Sequence, residues 1–187
     1  RRSSLGKGSP LGRRGMAREE VSQVKKIDCA KSLAAKGFHV FPLVPNSKLP
    51  LIEDYPNRAS YDVSQIEKWW NDNPDANIGI STSRYNGTGA LVAVDVDNKN
   101  GVSGDDTLFG LEIEGKLLPT TFTQHTPTGG KHLLYYYDRA VKQGVAVLGK
   151  GLDIRSRGGY VVGAGSTIEG VPYTVEEGPV VEIPKWV

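Results

Sequence analysis

The sequence predicts an α/β (α+β) domain with a mixed sheet, on three observations. Helical periodicity dominates the first half of the core, short turn-bounded apolar runs dominate the second, and 187 residues suit one hydrophobic core. From Arg18 to Lys36, apolar residues recur at Val21, Val24, Ile27, Ala30 and Leu33 or Ala34, and Gly37 follows. That is an amphipathic helix with a glycine stop. Phe38 to Pro45 reads as a strand running into the loop "NSKLPLIEDYPNRAS". Asp62 begins a second helix, with Gln65 as its capping-box partner, Val63, Ile66, Trp69 and Trp70 as its apolar face, and Pro74 closing it. The tryptophans are expected in the core rather than as base-stacking platforms.

"ANIGIST" and "ALVAVDVD" are the next two strands. A third helix is expected from Asp105 or Asp106 through Leu108, Leu111 and Leu117 to a stop at Pro119. "TFTQHT" and "KHLLYYY" flank "PTGG" as a hairpin. "GLDIRS" and "GYVVGAGS" follow as short strands split by Gly158 and Gly159, and "VPYTVEE" reads as one more.

Residues 1–16 read as an expression remnant or disordered lead-in, and 17–187 as the folded domain. The first fifteen residues hold five basic side chains and no acidic one; the remainder carries 18 basic against 21 acidic residues, a balance of −3 instead of +2. A mildly acidic body gives no support for a broad cationic nucleic-acid surface, so nucleic-acid contact would have to come from local basic patches. A single cysteine, Cys29, excludes an intrachain disulfide and fits a reducing cytoplasm. It falls inside the first helix and is expected to be structural. No apolar run is long enough to cross a bilayer.

Three features after Ala90 carry chemistry. "LVAVDVDNKNG" ends an apolar strand with Asp95 and Asp97 on one face, because strand side chains alternate. "TPTGGKH" starts a strand with His132 directly after a glycine pair, and "GLDIRSRGG" sets Asp153 before Arg155 and Arg157. Each has an ordinary reading: a solvated acidic turn, a structural histidine, a hairpin turn, surface arginines. Jointly, hard oxygen donors at Asp95, Asp97 and Asp153 suit Mg²⁺ or Mn²⁺ if their strands are neighbours. Thr128 and His132 can donate to a triphosphate, glycines beside a phosphate loop let backbone amides approach, and Arg155 or Lys48 can neutralise charge. Two cations roughly 3.5–4 Å apart would activate a hydroxyl and stabilise leaving pyrophosphate, the requirements of nucleotidyl transfer.

The sequence at this point resembles the bifunctional DNA primase/polymerase (prim-pol) N-terminal domain of the archaeo-eukaryotic primase superfamily, found in phage and plasmid replication proteins. "AVDVD" matches its acidic first motif, Gly130-Lys131-His132 its second, and Leu152-Asp153 its third; "FPLVPNSKLP" and "NIGIST" look like its lead-in segments. The likeness runs from about Ile27 to Tyr173. It implies a primase-like catalytic core, with a mixed sheet like an RNA-recognition motif beside an N-terminal α/β unit.

It further implies Asp95, Asp97 and Asp153 as ligands of Mg²⁺ or Mn²⁺, with catalysis resting on them and on His132. Lys48, Thr128, Gly130, His132 and Arg155 would form the nucleotide site, Thr128 standing where relatives often carry Ser. Implied partners are a single-stranded DNA template, a primer and (d)NTPs, with a helicase fused or coupled to the domain and no membrane, in the cytoplasm of a bacterial or phage-infected cell. Two departures stand out. Relatives often carry Pro-Pro-Ser after the third motif, where this chain has "GAGS" with Ser166, and one cysteine cannot build a zinc stem.

Two other readings share the first motif. A metal-dependent nucleotide-sugar transferase uses D-x-D after an apolar strand but does not need the Gly-Gly-x-His hairpin. A non-catalytic nucleotide- or nucleic-acid-binding module would keep the fold without needing three carboxylates.

Overall fold

The computed structural model describes residues 24–86 and 89–187. The lead-in over 1–16 and the first part of the expected first helix lie outside the described residues. Helix α1 spans Lys26–Ala35, and its buried Ala30, Leu33 and Ala34 carry the predicted periodicity. Gly37 stops it in the left-handed region, φ +89°, with its amide donating to the Ala34 carbonyl at 2.9 Å. Cys29 is half-buried in α1 against Gly165, where a side chain would collide with it.

Two sheets follow. The small one has the order β1-β2-β8 and is antiparallel: β1 is Phe38–Leu43, β2 is Asn77–Tyr85 and β8 is Tyr160–Val162, with Val40 opposite Ile80 and Ile80 opposite Val161. Between β1 and β2 the chain forms the short helix α2, Tyr55–Arg58, and the helix α3, Val63–Asp72. Asp62 caps α3 by accepting from the Ser64 amide at 3.2 Å. The return bond expected from Gln65 is not among the hydrogen bonds of the described residues. Trp70 is 1 % exposed and donates its indole N–H to the Ala76 carbonyl at 3.0 Å, so both α3 tryptophans serve the core.

The large sheet joins β3 (Ala90–Val96), β4 (Phe122–His125), β5 (Lys131–Tyr137), β6 (Gly144–Gly149), β7 (Leu152–Arg155), β11 (Thr174–Glu176) and β12 (Val181–Glu182). Its order is β11-β4-β5-β3-β7-β6, antiparallel throughout, with β12 added parallel to the far half of β5. That one parallel pair makes the sheet mixed. β9 (Thr167–Ile168) and β10 (Val171–Pro172) form a separate two-stranded turn, so "VPYTVEE" is two strands rather than one. Helix α4, Gly104–Ile113, stops short of the expected Pro119, because Gly115 takes φ +79° and its amide folds back onto the Glu112 carbonyl.

β3 is central and buried on both faces. Leu91 and Ala93, with Phe122 and Leu134, pack on the small sheet and on α1 and α3, where Phe38, Ile66, Trp70 and Ile80 complete the core. Val92, Val94 and Val96 face the other way with Tyr135, Leu152 and Ile154, covered by Leu108 and Leu111 of α4. A strand so enclosed reads as a continuous apolar run, as "ALVAV" does. Ser166 ties this architecture together: its hydroxyl accepts from the Ile78 amide at 2.8 Å and is wholly buried. Among the described residues, no helix is long and apolar enough to cross a membrane.

Gln124 is the polar bolt between the sheets. Fully buried on β4, it accepts from the Ala164 amide at 2.6 Å and donates to the Val162 carbonyl at 3.2 Å. Replacing it by Ala strands both backbone groups, each worth about 1–3 kcal/mol when left unmet. Gln124→Ala is expected to lower stability by roughly 2–4 kcal/mol in urea unfolding. A loss under about 0.5 kcal/mol, the range of an ordinary surface substitution, would show that the sheets do not depend on this bridge.

Candidate active site

The register of β3 builds the site. Asp95 lies opposite His132 of β5 on one side and opposite Asp153 of β7 on the other. Directly opposed residues share a face of the sheet, so the three side chains stand in one row, which Gln124 of β4 extends beyond His132. Arg155, two residues past Asp153, is on the same face. Asp97 lies just beyond the end of β3, where its amide donates to the Gly151 carbonyl at 2.9 Å and its carbonyl accepts from the Gly104 amide at 2.8 Å. This is the face of Leu91 and Ala93. The core between the sheets therefore ends at Ala93, and the acidic row begins where it opens to solvent.

A cleft of about 430 Å³ occupies that opening. Asp95, Asp97, Lys48, Arg155, Tyr160 and Tyr173 line it, with Lys99 and Tyr55 at its margins. Lys48 comes from the loop after β1, which is held there by a hydrogen bond from the Tyr160 hydroxyl to the Lys48 carbonyl at 2.9 Å. Of the residues singled out by sequence, Gly130, His132 and Asp153 do not line it, Asp153 bordering a neighbouring recess with Asp97 and Lys99, and Thr128 stands apart. It is exposed in the hairpin turn, its hydroxyl 3.3 Å from that of Thr126, and does not line the cleft. Gly130 has a packing reason for its identity, since a side chain there would collide with the Val96 carbonyl oxygen.

A family model described as "Bifunctional DNA primase/polymerase, N-terminal" matches residues 30–186, nearly all of the described fold. The chain belongs to this family. No curated protein matches it in a sequence search. The mixed α+β architecture agrees with the primase-like core that the prim-pol resemblance implies, and DNA and nucleotide substrates follow at the level of the family.

Electrostatics distinguish the three carboxylates of this prim-pol domain. Asp153 accepts from the Arg155 guanidinium at 3.1 Å and from the Ala146 amide at 2.9 Å. Asp97 is paired with the Lys99 ammonium at 2.9 Å, and that contact pushes the lysine's pKa up. Among the described residues, Asp95 has no lysine or arginine paired with it. Burial first, then the neighbouring charges of Asp97 and Asp153, push its carboxyl up to about 6. His132, with a side chain 6 % exposed, has Nε2 at 3.5 Å from the Asp95 carboxylate, and its buried Nδ1 makes no well-formed hydrogen bond, although the ring lies close enough to the Val162 backbone for a weak one. Burial, with help from the positive charges of Lys48 and Arg155, pushes the imidazole down to about 4, so at neutral pH it is uncharged.

The donors suit a hard divalent cation in kind: three carboxylates crowd one corner of the sheet, and burial, then the charge of Asp97, raises the pKa of one of them. As placed, they do not converge. Among the described residues, no three carboxylate, histidine or cysteine side chains gather at a point able to hold a metal. Lys99 and Arg155 stand where positive charge is wanted, and an incoming cation would have to displace the former from Asp97.

Several cleft residues had no sequence signal pointing to them. Lys99 sits in "DNKNG", which reads as a turn, and Tyr160 and Tyr173 read as strand residues. Their place beside Asp95 depends on β8 and on the segment after β10 folding back over the row. Only Lys99, two residues beyond the acidic pair, is close enough in sequence to have been suspected.

Asp95 and His132 impose opposite pH slopes. Asp95 binds more protons folded than unfolded between its ordinary 3.8 and about 6, so its contribution to stability falls as pH rises through that window. His132 binds fewer between about 4 and its ordinary 6.5, so its contribution rises over nearly the same range. In metal-free wild type the two offset. The unfolding free energy of Asp95→Asn, read from urea titrations, is expected to increase from pH 4 to 6.5 relative to wild type, and that of His132→Gln to decrease, each by up to roughly 2–3 kcal/mol. Parallel profiles for all three proteins would refute the coupling.

Proposed function

We propose that this domain carries out templated nucleotidyl transfer in DNA replication, as a DNA primase and polymerase. The 3′-hydroxyl oxygen of a primer forms a bond to the α-phosphorus of an incoming nucleoside triphosphate as the bond to pyrophosphate breaks. The observation that carries this reading is the register of β3 between β5 and β7, which sets Asp95, His132 and Asp153 in one row, with Asp95 and Asp97 opening on a cleft. A chain with no use for a cation has no reason to gather carboxylates there at a cost to its own stability.

Asp95, Asp97 and Asp153 would hold Mg²⁺ or Mn²⁺. Bound there, such cations would supply an activated attacking hydroxyl and would neutralise charge on the leaving pyrophosphate. Arg155 and Lys48 line the same cleft and orient the triphosphate by charge. His132, uncharged at neutral pH, contributes through one N–H and one lone pair rather than as a cation, its Nε2 steadying Asp95 beside the nucleotide site. Thr128, exposed on the hairpin, would reach only a phosphate that extends past Gly130. Coupling to a helicase and residence in the cytoplasm of a bacterial or phage-infected cell complete the reading. Neither the sugar-transferase nor the binding-module alternative accounts for the family match together with the aligned carboxylates.

Primer extension on templated DNA with Mn²⁺ and dNTPs tests this directly. Asp95→Ala is expected to lower turnover by ~10³ or more, about 4 kcal/mol of transition-state stabilisation, without lowering the urea midpoint at pH 7. Full activity in that variant would end the metal-site assignment. Mn²⁺ is expected to raise the unfolding temperature of wild type but not of the Asp95/Asp97 double alanine. His132→Ala should weaken dNTP binding more than DNA binding, and an equal loss of both would make the histidine structural.

A further inference from the structure

A second pocket opens on the small sheet, and nucleotidyl transfer at the acidic row does not use it. It holds about 480 Å³ and is lined by His39 of β1, Arg84 of β2, Arg58 of α2 and Tyr61, among others. His39 is 5 % exposed, yet its Nε2 has no hydrogen-bond partner; His132 is the other side chain among the described residues with a buried nitrogen lacking a well-formed one. Buried polar atoms are rarely left unmet, so this one calls for an explanation. His39 Nδ1 lies 3.3 Å from the Ala59 carbonyl, which can only accept. The proton therefore sits on Nδ1, and Nε2 is a bare acceptor. Burial, with Arg84 nearby, holds the imidazole below its ordinary range and so keeps it neutral. A ligand that satisfies His39 must bring an N–H or an O–H.

The rim adds two more demands. Arg58 and Arg84 are exposed, and neither is paired with a carboxylate among the described residues. Asp62, the acidic group of the lining, is committed to the Ser64 amide at the start of α3. Tyr61 is half exposed and stands edge-on over His39, ring centroids 4.7 Å apart. Two guanidinium groups without a carboxylate partner, Arg58 making only a 3.4 Å bond to the Glu53 carbonyl, a half-exposed flat ring and a buried acceptor beneath it together ask for an anion, an aromatic face and a hydrogen-bond donor in one ligand. That combination is a nucleotide. Position agrees, because α2 gives Tyr55 to the active-site cleft and Arg58 to this pocket, three residues or about 4.5 Å apart along the helix axis.

We propose that this pocket holds a nucleotide of single-stranded nucleic acid as the strand passes the active-site cleft. Arg58 and Arg84 bind its phosphates, Tyr61 stacks on the base, and His39 accepts from a base N–H once Tyr61 turns off it. The strand's presence at the cleft rests on the nucleotidyl-transfer reading; the chemistry of the pocket does not. A free nucleotide has the same chemistry, and the test separates the two.

The full chain is titrated into fluorescein-labelled oligothymidylate over a range of KCl concentrations, with thymidine monophosphate as competitor and Mn²⁺-dependent dNTP binding measured in parallel. The double variant Arg58→Ala/Arg84→Ala is expected to bind the oligonucleotide roughly tenfold or more weakly, its salt slope smaller by about 1.4 for two lost phosphate contacts. Tyr61→Ala is expected to bind it at least about fivefold more weakly. Urea midpoints and dNTP binding should stay at wild-type values in both. Oligonucleotide binding unchanged in the arginine variant overturns the proposal. Thymidine monophosphate bound as tightly as the oligonucleotide, and lost in the same variant, overturns the strand in favour of a free nucleotide. Primer extension separates the two readings. Arginine-dependent strand binding without extension removes the polymerase and leaves the pocket, whereas extension with arginine-independent binding removes the pocket alone.

Discussion

The structure depends on the pairing of β3 with both of its neighbours. A strand buried on two faces has a register set by packing on each side, and a slip of one residue would send Val92, Val94 and Val96 into the space of Leu91 and Ala93. The same register sets Asp95 against His132 and Asp153. The apolar residues that give the domain its stability therefore also determine which side chains meet at the site, with no separate device to align them. The glycines at the end of the strand serve the same constraint: Gly104, Gly130 and Gly151 let the hairpin and α4 close against the backbone at Val96 and Asp97, where any side chain would collide.

The site works against the fold that carries it. Asp95 is held in a place where its charged form is disfavoured, by burial and by two like neighbours. Arg155 and Lys99 pair directly with the flanking carboxylates and relieve the central one only from a distance, too weakly to offset its burial. A neutral histidine beside it avoids a fixed ion pair, which would compete for the carboxylate with any incoming cation. Local electrostatic cost of this kind is tolerable only because the surrounding sheets over-determine the geometry. Gln124, bonded from the large sheet to the backbone at and just after β8, and Ser166, bonded from the loop after β8 to β2, are both fully buried and supply part of that determination.

Much of this was legible beforehand, for reasons that differ by element. The hairpin of β4 and β5 is written in "PTGG" between alternating runs, and α3 in its Asp62 cap and tryptophan face; both signals are local. α4 is shorter than its leucines suggest, because Leu117 continues the apolar pattern after Gly115 has already turned the chain. β6 and β12 escaped notice. β6 is exposed and irregular, with Ala146 at φ +51°, and β12 is a two-residue strand whose partner is most of the sheet away in sequence.

The sequence by itself determined the identity of the acidic row, because a D-x-D, a Gly-x-His and a Leu-Asp in order constrain the chemistry before any folding is considered. It also determined that Asp95 and Asp97 share a face, since strand alternation is local. Only the tertiary structure decided that Asp95 faces His132 and Asp153 directly, that Lys99, Tyr160 and Tyr173 join them, and that Thr128 stands outside the cleft. The physical reason is range. Periodicity and caps are set by neighbours within a few residues, whereas strand order and register follow from the competing burial of whole faces, which no single segment contains.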